Sequence, residues 1–255
     1  MSAPAKKGVV KKTLDSGGVL IVESSTILPL VTVVVSFRSG AAHDPEGREG
    51  LSRITTRMLR RGSQGLTAVE TENAIDRLGA EISAEVATST TAVYGQVLAR
   101  NTGAFLDLLG SVLSSPAFPE DEFARLLRET KAEIIDARDN DRALADRFFR
   151  RTLFDGHAYG RTIRGTELSL DLLTTAQARA HHRQHFVRGN AVVAFAGDIT
   201  PEEAERQASR LLAGLPDAPA PKDPLGEPKP IAGRHLVFVD KPERTQTQIL
   251  IGALG

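Results

Sequence analysis

Two histidines one helical turn apart, His181 and His185 in HHRQH, have the spacing at which a helix can chelate a divalent ion, and His182 lies between them. No Glu stands between the pair, so the H-E-x-x-H pattern that couples zinc ligands to a general base is not met. The expectation is therefore a surface helix end, with an unrecognised metal site as the rival reading. His43 and His157 sit in turn-like segments, and His157 in FDGHAYG reads as a loop-packing residue. A second cationic group, Arg53 and Arg57 with Thr56, lies in GLSRITTRMLRRGS. On a helix these three share one face, opposite Leu51, Ile54 and Met58. The plain reading is a solvated basic face, with Arg60 and Arg61 near the negative end of the helix dipole.

Other chemistries lack their residues. No G-x-S-x-G, GxxxxGK[ST] or post-strand G-x-G-x-x-G occurs. With no cysteine there is no disulfide, thiolate zinc ligand or thiol nucleophile. The 32 basic and 32 acidic side chains cancel, which removes the electrostatic argument for nucleic acid. No apolar run approaches the ~20 residues needed to span a bilayer. The N-terminus lacks an apolar signal-peptide core, and localisation stays open: soluble, periplasmic or cytoplasmic.

The elements that must position these groups follow from periodicity. Val9–Leu14, Val19–Ser24 and Leu30–Phe37 read as strands, the first two joined by Asp15-Ser16-Gly17-Gly18. LVTVVVSF is too continuously apolar for an edge and is expected in the centre of a sheet. A helix is predicted from about Gly47 to Arg61, stopping at Gly62, and a second from a Thr67/Glu70 capping box to Leu78. Strands Ala80–Ala87 and Thr91–Ala99 precede helices at Thr102–Leu113, Pro119–Arg138, Arg142–Leu153 and Thr174–Phe186. A buried strand at Ala191–Ala196 and a helix opened by Pro201 complete an α+β pattern, with a mixed or antiparallel sheet and helices on one face. Residues 1–216 are read as one domain and 217–234 as a Pro-rich linker. Residues 235–255, with HLVFVD and TQTQILIGALG, read as the first strands of a second domain.

In order and spacing, several segments resemble the insulinase-type metallopeptidases, the M16 family of pitrilysin and mitochondrial processing peptidase. They are TLDSGGVLIVES, VTVVVSFRSGAAHDPEGREGL, LGAEISAEVATSTTAVYGQVL, LFDGHAYGRTIRG and RGNAVVAFAGDIT. KPERTQTQILIGALG resembles the opening of the family's second, homologous domain. The resemblance implies the LuxS/MPP-like metallohydrolase fold, with H-x-x-E-H on the helix that here carries Arg53, Thr56 and Arg57. A guanidinium only donates and stays protonated, so Arg53 and Arg57 cannot ligate zinc, and Thr56 offers no carboxylate base. The family's third ligand is a Glu roughly 75 residues further on, and Glu133 falls there. Leu126 stands where a second acidic residue is common. Arg53, Thr56, Arg57 and Glu133 thus mark a degenerate zinc site with no cofactor of its own.

Glu133 borders the apolar stripe of Phe123, Leu126, Leu127 and Ile134. A carboxylate so placed calls for a cationic partner, so Arg53 or Arg57 is expected to pair with it. The resemblance further implies a catalytically silent subunit beside an H-x-x-E-H-bearing zinc peptidase, holding a peptide or enclosing the substrate chamber. The alternatives are a structural core subunit of a larger complex, or an active metallopeptidase using His181, His182 and His185.

Overall fold

A computed structural model describes residues 8–63, 65–222, 225–242 and 244–254. Its centre is β3 (Leu30–Phe37), whose Val31, Val33, Val35 and Phe37 are buried while the alternate residues are half-buried. That alternation follows from the two-residue period of a strand. The strand lies between two antiparallel neighbours, β7 (Thr91–Leu98) and β8 (Ala191–Gly197). Outside β7 runs β6 (Glu81–Val86), antiparallel, with no further partner among the described residues. Beyond β8 come β2 (Val19–Ser24), parallel to it, and then β1 (Val10–Thr13), antiparallel. The sheet is therefore six-stranded and mixed, in the order β1-β2-β8-β3-β7-β6. The remaining two strands, β4 (Gly62–Ser63) and β5 (Leu66–Thr67), form a small separate ladder.

Helices cover one face of the large sheet. Phe105, Leu109 and Val112 of α3 (Thr102–Ser114) join Ala204, Ala208 and Leu211 of α8 (Pro201–Leu212) over Val33, Val35, Val93 and Phe195. Each fully buried Val, Leu or Phe side chain contributes about 1.5–3 kcal/mol, which fixes the register of the strands beneath. A second core joins Leu51, Ile54 and Met58 of α1 (Leu51–Met58) to Phe123, Leu126 and Ile134 of α4 (Glu120–Asp136). Leu170 of the short α6 (Glu167–Asp171) and Ala178 of α7 (Thr175–His185) close that core. Between these elements lie α2 (Ala68–Arg77), opened by the Thr67/Glu70 capping box, and α5 (Asp141–Leu153), capped by Asn140.

Two expectations are corrected, and one element is added. The helix predicted from Gly47 begins only at Leu51, because Gly47 and Gly50 take left-handed conformations (φ 73° and 97°) that a right-handed helix excludes. It ends at Met58, before the left-handed Gly62. HLVFVD and TQTQILIGALG form no strand among the described residues, and Leu236 and Ile251 are each 93% exposed. An apolar alternating segment becomes a strand only when a neighbouring edge takes up its backbone groups, and among the described residues no strand pairs with this one. The helix Glu167–Asp171 was not anticipated: five residues are too few for a periodic signal.

Candidate functional site

Helix α1 is anchored at its start by Asp44. One carboxylate oxygen, Oδ2, accepts from the Gly50 N–H at 2.7 Å, and Oδ1 accepts from the Ser52 N–H at 2.8 Å and the Ser52 hydroxyl at 2.6 Å. Free N–H groups of a first helical turn are thereby satisfied by a negative charge at the positive end of the dipole. Asp44 is nevertheless buried, and burial pushes its carboxyl up to about 6 against the pull of these donors.

From that fixed start, Arg53 and Arg57 stand one turn apart and face α4. Arg53 Nη2 donates to Glu133 Oε2 at 2.7 Å, and Arg57 Nη1 donates to Glu133 Oε1 at 2.8 Å. The pairing expected of one arginine is thus made by both. Arg57 Nη1 also donates to Thr130 Oγ1 at 3.2 Å. Partial burial pushes the Glu133 carboxyl upward, but hydrogen bonds and charge from Arg53 and Arg57 outweigh it and hold the group below its ordinary range. Thr56 departs from the expected polar face: it is buried, and its hydroxyl donates to Ser52 O at 2.8 Å.

This donor set does not fit zinc. A zinc ligand must offer a lone pair, and both guanidiniums are permanent donors. The one carboxylate present already accepts from both of them. No proton-accepting group stands at Thr56 to activate water.

Extending from Glu133, the contact between α1 and α4 is a ladder of shared charges. Arg61, just past α1, donates to Glu122 and to Glu129, each at 2.9 Å. Arg125 lies 3.0 Å from Glu122 and 3.4 Å from Glu129. Arg60 grips Glu72 of α2 with two donors, at 3.1 and 2.6 Å. Sequence reasoning missed Arg61, Arg125, Glu122 and Glu129 as partners, although the i,i+3 and i,i+4 acidic spacing on α4 is the signal that could have found them. Asp44 and Ser52 were missed too. A capping acid seven residues before the helix leaves no periodic trace.

Beside this ladder an open cleft of about 640 Å³ is lined by Arg57, Arg60, Arg125, Glu72, Ser83 and Ala84. Ser83 and Ala84 belong to β6, the edge strand. The cleft therefore lies along a row of backbone groups that the sheet leaves free to pair.

The histidines on α7 are not the surface helix end that was expected. His181, His182 and His185 are all buried. His181 Nε2 lies 3.1 Å from Ser39 Oγ and 3.3 Å from Ser52 Oγ, and His182 Nε2 donates to Leu113 O at 2.8 Å. The His181 and His185 rings pack at 4.4 Å between centroids, and His43 lies 5.6 Å from His185. Burial, followed by the neighbouring histidines, lowers His181 to about 3; burial and then His43 lower His185 to about 4. Among the described residues no group of three or more His, Cys, Asp or Glu side chains is arranged to hold a metal ion. These imidazoles tie α7 to α1 and to the end of β3. His157 packs its loop as expected, with Nε2 at 2.8 Å from Gly226 O and its ring against Phe154 and Tyr159.

Comparison with known proteins agrees with this architecture. Residues 19–167 match the family model described as Insulinase (Peptidase family M16), and residues 173–255 match that of the Peptidase M16 inactive domain. An uncharacterized zinc protease of Mycobacterium leprae (strain TN) is 28% identical over 98% of this chain and 56% of its own length. A probable mitochondrial-processing peptidase subunit beta of Arabidopsis thaliana is 25% identical over 89% of the chain and 43% of its own length. The chain thus spans about half the length of these curated relatives. The crystal structure of a peptidase M16 inactive domain from Pseudomonas fluorescens superposes with a TM-score of 0.84 at 24% identity, covering 88% of this chain and 54% of that one. Pitrilysin superposes at 0.76, with 19% identity over 88% of this chain and 24% of its own.

Proposed function

This chain belongs to the insulinase peptidase family (M16), and we propose that within it the chain is a catalytically silent subunit that holds an extended peptide for a zinc-bearing partner. One observation carries the reading: at the helix positions that resemble the family's zinc motif, two arginines close on Glu133 and leave no lone pair for a metal. Fixed positive charge from Arg53 and Arg57 then does for Glu133 what the metal's charge does in an active member. The chain itself needs no cofactor; zinc belongs to an H-x-x-E-H-bearing M16 partner. The free edge of β6 beside the cleft supports a peptide-holding role, because an extended peptide can add there as a further strand. Among the described residues no helix is long and apolar enough to cross a membrane, and that leaves the compartment open.

The test has two arms. The purified chain with added zinc is expected to hydrolyse no peptide, and the combined R53H, T56E and R57H variant is expected to gain one equivalent of bound zinc, with Glu133 as its third protein ligand. Zinc-stimulated hydrolysis by the unaltered chain, abolished by E133Q, would overturn the proposal. Failure of the triple variant to hold zinc, while folded by circular dichroism, would remove the assignment of these positions to a former metal site.

A further inference from the structure

The charge ladder between α1 and α4 is unbalanced, and the surplus faces the cleft. Four guanidiniums, Arg53, Arg57, Arg61 and Arg125, share three carboxylates, Glu122, Glu129 and Glu133. Arg53 and Arg57 together occupy Glu133, and Arg61 reaches the other two at 2.9 Å. Arg125 is left with carboxylates already engaged, the longer of its two approaches is 3.4 Å, and its side chain is 52% exposed. The remaining pair in the wall, Arg60 with Glu72, is neutral as a unit. The group thus carries one positive charge in excess, and of its four guanidiniums Arg125 is the most exposed at the cleft.

We propose that the cleft selects an extended peptide bearing a carboxylate, held by Arg125 while the peptide backbone adds to the edge of β6. This rests on the peptide-holding reading above and adds a substrate class to it. A planar guanidinium with unused donors matches a carboxylate in shape and charge. Placement is restricted from the opposite side: Glu81 and Glu85 are exposed and alternate with Ser83 along β6, so a carboxylate directly across from them on the added strand meets like charge. Its place is on the helical wall, under Arg125, and a peptide carrying a Lys there meets the surplus cation instead.

The experiment measures binding of fluorescein-labelled, alternating Val/Thr peptides to the chain by anisotropy. The set carries a single central Glu, Gln or Lys, each with a free or amidated C-terminus. A partly exposed ion pair predicts about three- to five-fold tighter binding of the Glu peptide than of the Gln peptide, with Lys weakest. The preference should shrink as salt is raised. R125Q is expected to erase the Glu-over-Gln preference. If only the free-acid peptides gain, the terminus and not the side chain supplies the carboxylate, and both arms depend on Arg125. Binding of all peptides without preference, or a preference that survives R125Q, would overturn the selectivity. Failure of every peptide to bind would instead overturn the peptide-holding reading beneath it.

Discussion

At the scale of single residues, Glu133 shows how a carboxylate's meaning depends on its neighbours. Beside two lone-pair donors it would complete a metal site; beside Arg53 and Arg57 it closes an ion-pair clamp between α1 and α4. The pair is partly exposed, so its net worth is modest: E133Q should lower stability by about 1 kcal/mol in urea denaturation at neutral pH. The folded-state proton affinity of Glu133 is depressed. Its contribution is therefore present above the ordinary value of 4.5 and lost as pH falls through the lower folded value. The gap between wild type and E133Q should accordingly close as the buffer is taken below that value. A gap that persists unchanged in acid would mean that packing, and not charge, is what the substitution removes.

At the scale of elements, α1 is held from two ends by unlike means: the Arg–Glu ladder on its exposed side, and buried Asp44, Ser52 and His181 at its start. The buried end is sensitive to acid. His181 and His185 bind protons less readily folded than unfolded, so their contribution is lost as pH falls from 6.5 toward about 4 for His185 and about 3 for His181. Asp44 has the opposite sign: its proton affinity is raised, so the stability it contributes is present below 3.8 and lost as pH rises to about 6. With His182 also lowered by burial, three groups against one leave a net loss on acidification, at about 1.4 kcal/mol per pH unit for each uncompensated proton. His185→Gln removes one of the three, and should flatten the dependence of denaturation midpoint on pH between 4 and 6.5. An unchanged slope would exclude His185 as a source.

The elements themselves were largely legible from sequence. β3 announced its central place through LVTVVVSF, and the capping box announced α2, because these signals are local. The pairing of Arg53 or Arg57 with Glu133 was legible only through spacing read against a family pattern, since periodicity carries no information across so many residues. Burial of the α7 histidines was not legible. Polar composition pointed outward, and it is the tertiary approach of Ser39, Ser52 and Leu113 that supplies their partners.

At the scale of the whole molecule, the sheet has two edges, and they differ in what they offer a peptide. β1 is a four-residue edge strand, exposed throughout, carrying Lys11 and Lys12, the pattern by which proteins discourage edge pairing. β6 is longer, alternates buried with exposed residues, and runs beside the cleft. A strand added there has both a backbone ladder and a wall for its side chains, whereas one added to β1 has only the ladder. Hydrogen exchange separates the two edges. With the Glu-bearing Val/Thr peptide at about ten times its dissociation constant, amides of residues 81–86 that face outward should exchange about ten-fold more slowly. Residues 10–13 should be unaffected. Protection at β1, or at neither edge despite measured binding, would move the peptide away from β6, and with it the geometry through which a silent subunit could present substrate to a zinc-bearing partner.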